Sequence, residues 1–121
     1  MRVPDDTVLD LAQLEEITMN DEELMREILG VLLDDTGSQL LLLDAAVQAA
    51  DMPACRRLAH YSKGACANVG AGRAAAVCRR MEQHATDGEI EACSQCLAAL
   101  RGELDALREE VNAAFEDGSP A

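Results

Sequence analysis

This chain of 121 residues predicts an all-α fold, on three observations. Hydrophobic residues make up 49%, yet the aromatic residues are only Tyr61 and Phe115, and β-branched residues are sparse and scattered. Ala, Leu, Glu, Asp and Arg dominate; these are mostly helix formers, with Asp suited to caps. Apolar residues recur three and four apart over long stretches, the period of one helical face. The length fits one domain with a modest core.

Met1 to Thr7 reads as a flexible leader. Val8 to Ile17 predicts a short helix with Val8, Leu11, Leu14 and Ile17 on one side, placed to cover the end of a bundle. Asn20 reads as an N-cap, with Glu23 three residues on as in a capping box. The helix that follows runs from about Asp21 to Ala50, with Met25, Leu29, Leu32, Leu40, Leu43, Val47 and Ala50 as its apolar stripe. Gly30 and Gly37 weaken it, and Gly37 marks either a bend or a division into two shorter helices. Asp51 caps the next helix, Met52 to Asn68, with Pro53 tolerated in its first turn. Its buried side is Cys55, Leu58, Ala59, Ser62, Cys66 and Val69, and Gly70 is its stop signal. A fourth helix spans Gly72 to Thr86 and faces Ala74, Val77, Cys78, Met81 and Ala85 inward. Asp87 before Gly88 is placed to cap the last helix, Glu89 to Phe115. That helix carries Ile90, Cys93, Leu97, Leu100, Leu104, Leu107, Val111 and Ala114 in the most regular three-four alternation of the chain. Long amphipathic helices joined by short breaks predict an antiparallel up-and-down four-helix bundle over residues 8–116, with the short helix in front and a flexible tail over 117–121.

Charge and cysteines narrow the function classes. The formal net charge of −13 argues against nucleic acid or an anionic membrane as the main partner, since both reward basic surfaces. The leucine run Leu40 to Leu43 is far short of the roughly 20 residues of a membrane span. The N-terminus carries acids where a signal peptide has bases and an apolar core. Five cysteines within helical patterns suit reduced, partly buried thiols of a cytoplasmic protein better than a disulfide framework.

One stretch breaks the acidic pattern. The window from Met52 to Met81 has no Asp or Glu but holds Arg56, Arg57, Lys63, Arg73, Arg79 and Arg80. Lys63 is the only lysine, and His60 is one of 2 histidines. On a helix, Arg56, His60, Lys63, Gly64 and Ala67 fall on one stripe with Arg57 at its border. An imidazole, a cation one turn on, and small residues that leave the surface open suit the holding of a phosphoryl group on histidine.

The order His60-x-x-Lys63-Gly64, followed by Ala67-Asn68-Val69-Gly70-Ala71, resembles the histidine-containing phosphotransfer (HPt) domains of multistep two-component signalling. The resemblance extends over almost the whole chain. It implies a phosphorelay carrier that takes a phosphoryl group from one receiver-domain aspartate and gives it to another. His60 is then the phosphoacceptor, Lys63 the cation beside the phosphoryl oxygens, and Gly64 the small residue that admits the receiver. Glu82 falls where the family often has an acid or amide near the imidazole. The implied partners are receiver domains of response regulators and hybrid sensor kinases, with Mg²⁺ on the receiver and no cofactor on this chain. Tyr61, Ser62 and Ala74 depart from the commonest pattern, which bears on local packing and partner choice.

The chemistry fits. An imidazole with a pKa near 6.5 is largely neutral, and so nucleophilic, at physiological pH. Its other nitrogen needs a partner, which is Glu82 or a backbone carbonyl. Phosphoryl transfer is mainly positioning and charge stabilisation, a task for Lys63 with Arg56 and Arg57 in support. The basic window would also orient an acidic receiver, with Tyr61, Ala67, Asn68 and Gly70 as docking residues and Met52, Ala65 and Val69 adding apolar contact. The resulting expectation is a monomer without ATP site or autokinase activity. Two rival readings are a docking module that is not phosphorylated, and a metal or redox bundle using Cys93-x-x-Cys96 with Cys78 and His84. The cysteines' place in a regular amphipathic helix favours core packing, and His84 reads as a surface residue.

Overall fold

Aspartates start three of the helices. The structure is a computed structural model and describes residues 4–115. The Asp10 carboxylate accepts from the Gln13 N–H (3.1 Å), Asp21 from Leu24 N–H (3.1 Å) and Asp51 from Ala54 N–H (3.1 Å). Each satisfies a donor that has no partner within its helix. The helices are α1 (Leu11–Thr18), α2 (Glu22–Gln48), α3 (Met52–Asn68), α4 (Gly72–Thr86) and α5 (Ile90–Phe115). The last four close a ring, α2 against α3, α3 against α4, α4 against α5 and α5 against α2, while α1 packs on α2. Joined by short turns, they make the predicted antiparallel bundle, and α3 and α4 share its most extensive contact.

The core follows the predicted stripes with a few displacements. Met25, Leu29, Leu32 and Leu43 of α2 are buried with Cys55, Ala59 and Cys66 of α3, the alanine-rich face of α4, and Cys93, Leu97, Leu100, Leu104 and Leu107 of α5. Leu40, Val47, Leu58, Ile90 and Val111 are half-buried, and Ala50 and Ala114 are exposed. The small residues Ala74, Ala75, Val77 and Cys78 let α4 approach α3 closely.

Several local expectations fail for definable reasons. Asn20 does not cap α2. It follows Met19 into the left-handed region (φ 55° and 64°), a conformation that Asn tolerates better than most residues, and the cap passes to Asp21. Gly37 does not divide α2, which is helical throughout and carries buried Thr36, Leu43 and Ala46 through and beyond the glycine. The helix begins at Leu11 rather than Val8, because Asp10 is extended and caps it. Of the predicted α1 stripe only Leu14 is fully buried, and Ile17 is exposed. Asp87 ends α4 instead of starting α5, its carboxylate accepting from the Gln83 amide (3.3 Å).

The leader is a fixture over its described part. The Thr7 carbonyl accepts from Arg73 N–H (2.8 Å), which supplies the start of α4 with the partner that no side chain provides. A Cβ on Gly72 would collide with the Pro4 carbonyl oxygen, and Asp5 pairs with Arg79. Asp10 N–H donates to the Gly70 carbonyl (2.8 Å), and the Gln13 amide donates to the carbonyls of Ala67 (3.0 Å) and Asn68 (3.2 Å). The N-terminal segment thus clamps the α3–α4 turn, where Gly70 adopts φ +88°. The expected tail lies outside the described residues.

Candidate functional site

The α3–α4 hairpin puts the site together. His60 and Glu82 each lie eleven residues from Ala71 in the turn, so antiparallel packing sets them side by side. His60 stands on the outer face of α3 with its side chain 67% exposed. Its Nδ1 lies 2.9 Å from Glu82 Oε2, and Lys63 Nζ donates to Glu82 Oε1 at 2.7 Å. One carboxylate therefore holds both predicted site residues, through a different oxygen for each.

The charge state of that carboxylate fixes the imidazole. The Lys63 ammonium beside Glu82 holds its carboxyl below the usual range; partial burial opposes this, and the His60 contact adds to the lowering. An ionised carboxylate only accepts, so the neutral ring carries its proton on Nδ1 and its lone pair on Nε2. The nucleophilic nitrogen is thus the one that Glu82 does not occupy. Gly64 lies one turn on. A Cβ there would meet nothing of this chain within 4 Å, so the glycine answers no packing need of the bundle.

The cations divide into two sets. Lys63, Arg73 and Arg79 are paired with Glu82, Glu103 and Asp5. Arg56, Arg57 and Arg80 form no salt bridge among the described residues. The basic window is thus narrower in space than in sequence. Arg56 and Arg57 line a cavity of about 310 Å³ with Pro53, His60 and Glu82. Arg80 and Lys63 line an adjoining one of about 480 Å³.

The predicted docking residues are only partly on this face. Tyr61 is 52% exposed and donates from its hydroxyl to Asp35 of α2 at 2.7 Å. Asn68 is exposed and Ala67 half-buried. Gly70, expected to face a partner, is buried beneath Asp10, whose backbone would obstruct any side chain there. Val69 is likewise buried. His84 pairs with Glu89 (2.7 Å) outside the site. The flank of α2 beside Tyr61 was not legible as part of this face. Its signal was the spacing of Ile28, Val31 and Asp35, three and four apart next to the core stripe.

The cysteines are all buried and free. Burial pushes the Cys93 thiol up to about 11. Among the described residues no group of three or more His, Cys, Asp or Glu comes together in a way that could hold a metal ion. No helix among them is long and apolar enough to cross a membrane.

The Hpt domain family model matches residues 27–110. Histidine-containing phosphotransfer protein B (HptB) from Pseudomonas aeruginosa PAO1 is 27% identical, with a TM-score of 0.85 over 93% of this chain and 97% of that one. ZmHP2 from maize is 23% identical, with a TM-score of 0.80 over 90% of this chain and 83% of that one. MtHPt2 from Medicago truncatula is 24% identical, with a TM-score of 0.80 over 90% of this chain and 78% of that one. The two plant proteins speak for a shared fold only. No curated protein sequence matches this chain.

Proposed function

The chain belongs to the Hpt domain family, whose members are phosphotransfer carriers, and from that premise we propose that His60 is the phosphoacceptor. The observation that carries this is the shared carboxylate. Glu82 fixes the tautomer of an exposed imidazole and holds an ammonium group beside it.

The step is an exchange of one bond for another. Nε2 attacks the phosphorus of a receiver's aspartyl phosphate in line, an N–P bond forms, the O–P bond breaks, and the aspartate leaves as carboxylate. The ring gains positive charge as the bond forms, and the ionised Glu82 at Nδ1 stabilises it. Lys63 keeps one donor on Glu82 and has two left for phosphoryl oxygens. Gly64 leaves room for the incoming aspartate. The reverse step delivers the group to a second receiver. Mg²⁺ belongs to the receiver, and this chain brings no ATP site to the reaction. We assign the protein to the cytoplasm as a monomer, a setting that suits five buried free thiols.

The test is to mix the chain with phosphorylated receiver domains and follow acid-labile, alkali-stable label. Wild type takes it up, and His60→Gln does not. Equal labelling of His60→Gln would remove His60 from the mechanism. Receiver binding without any labelling of wild type would leave a docking module instead.

A further inference from the structure

A carboxylate from the leader is seated on the cationic cleft that adjoins the site. Asp5 pairs with Arg79. Arg79 lines the cleft of about 480 Å³ together with Lys63, Arg80 and Glu82, and Glu82 is the group that holds His60. The cleft thus gathers three cations and one carboxylate from α3 and α4, and Asp5 brings a second carboxylate from outside the helices.

The backbone that carries Asp5 is fixed independently of this pair. Asp5 and Asp6 are the two central residues of a tight turn, closed by Thr7 N–H on the Pro4 carbonyl (3.3 Å). The base of the turn rests on the start of α4. There the Thr7 carbonyl accepts from Arg73 N–H, and the Pro4 carbonyl oxygen lies where a Cβ on Gly72 would go. These are neutral backbone contacts, which salt does not screen. The ion pair at the tip is of another kind. The Arg79 side chain is 43% exposed and that of Asp5 48%. An exposed pair of this sort is favoured over its open form by about fivefold at most. The Asp5 side chain therefore leaves Arg79 by rotating, with the turn still seated. Asp6, its neighbour in the turn, forms no salt bridge among the described residues.

We propose that this cleft is a carboxylate-binding subsite for the receiver, and that Asp5 occupies it in the free protein in place of an acidic side chain from the rim of the receiver's acceptor pocket. The proposal rests on the phosphoacceptor reading for its partner, and the carboxylate already seated on Arg79 carries it. Docking exchanges one carboxylate on Arg79 for another, so the contact that breaks offsets most of the contact that forms. A small free anion competes poorly with Asp5, which is tethered beside its cation. A receiver acid competes well, because the docked surface holds it there in turn. The leader thus reserves Arg79 for a partner that brings its own acid to that place.

The experiment measures binding of a panel of purified receiver domains to wild type, Asp5→Asn, Asp6→Asn and Asp5→Asn/Arg79→Ser at low salt. The receiver that binds wild type most tightly is the probe, and thermal melts check that each variant folds. Asp5→Asn should bind the probe about threefold or more tightly than wild type, since no competitor has to leave. Asp6→Asn makes the same change in formal charge one residue on and should stay within about 1.5-fold of wild type. The double variant should lose the gain, as should a probe whose rim acids are neutralised. Equal gains from Asp5→Asn and Asp6→Asn would assign the effect to net charge and overturn the proposal. So would a gain that survives in the double variant, the absence of any gain, or failure of every receiver to bind either wild type or Asp5→Asn. Labelling by phosphoramidate needs no docking, so it scores His60 separately. An unlabelled wild type whose Asp5→Asn variant still binds the probe more tightly would indict the phosphoacceptor reading and leave the subsite standing.

Discussion

At the scale of the residue, Glu82 does two things that a neutral isostere does not. It makes Nδ1 the donor, and it holds the Lys63 ammonium on the same carboxylate as the imidazole. Glu82→Gln keeps the shape but can present its NH₂ to Nδ1, which favours the tautomer with the lone pair on the wrong nitrogen. Receiver-to-His60 transfer should fall by about 10²-fold while receiver binding changes little, measured as a rate at saturating receiver. The carboxyl also links stability to pH. Its folded pKa is depressed below the usual 4.5, so its contribution is present above that value and is lost as pH falls through the folded pKa. Because the group is near the surface, that contribution is under about 1 kcal/mol. Urea melts should show wild type ahead of Glu82→Gln at pH 7 and the gap closed near the acid limit. Gly64 gives the complementary prediction. A Cβ meets nothing there, and glycine costs a helix interior about 0.5–1 kcal/mol relative to alanine. Gly64→Ala should therefore raise the melting temperature while slowing transfer from a receiver, and Gly64→Leu should slow it further with labelling by phosphoramidate retained. A glycine kept only for the fold would show the opposite.

At the scale of the element, what was legible follows from how local the signal is. The bounds of α3 and α4 were readable because Asp51, Pro53 and Gly70 each act within a turn of their own position. The imidazole, the lysine and the glycine fell on one stripe for the same reason. The miss at Asn20 came from two good caps in succession, where the choice depends on which residue the turn drives to positive φ. The docked leader was invisible because a backbone carbonyl, that of Thr7, does the work of a cap, and carbonyls carry no sequence signature. Gly37 misled because a helix-weakening residue is not a helix end when buried leucines on both sides hold the register. Removing that weakness should help: Gly37→Ala meets no neighbour and should stabilise the chain by about 1 kcal/mol. Gly72→Ala should destabilise it, since the new methyl displaces the Pro4 backbone. Ser62 offers a third case, with its hydroxyl buried on α3 and without a hydrogen-bond partner among the described residues. Ser62→Ala should gain stability, as the orphaned group costs roughly 1–3 kcal/mol, and leave transfer unchanged. Chemical melts of the three variants decide these signs.

At the scale of the whole molecule, charge does what no single contact can. A bundle of formal charge −13 repels an acidic partner at long range, yet the partner proposed for it brings an acidic pocket. Arg56, Arg57 and Arg80, which form no salt bridge among the described residues, place positive charge at and beside the His60 face. Arg73 and Arg79 do not contribute equally, because Glu103 and Asp5 neutralise them. Association should therefore depend on these three arginines and not on the basic window as a whole. The Debye length is about 10 Å at 0.1 M salt, so steering by these groups is felt at low ionic strength and screened at high. The double variant Arg56→Ser/Arg57→Ser should lower the association rate with a receiver by about tenfold at low salt and flatten its salt dependence, with dissociation little changed, in stopped-flow mixing. Neutralising Arg73 and Arg79 removes the same formal charge from the chain, but these two already pair with Glu103 and Asp5. That pair should leave the salt dependence as it stands in wild type. If both pairs flatten it alike, net charge rather than the placement of the arginines governs the encounter, and the local field at His60 has no part in it.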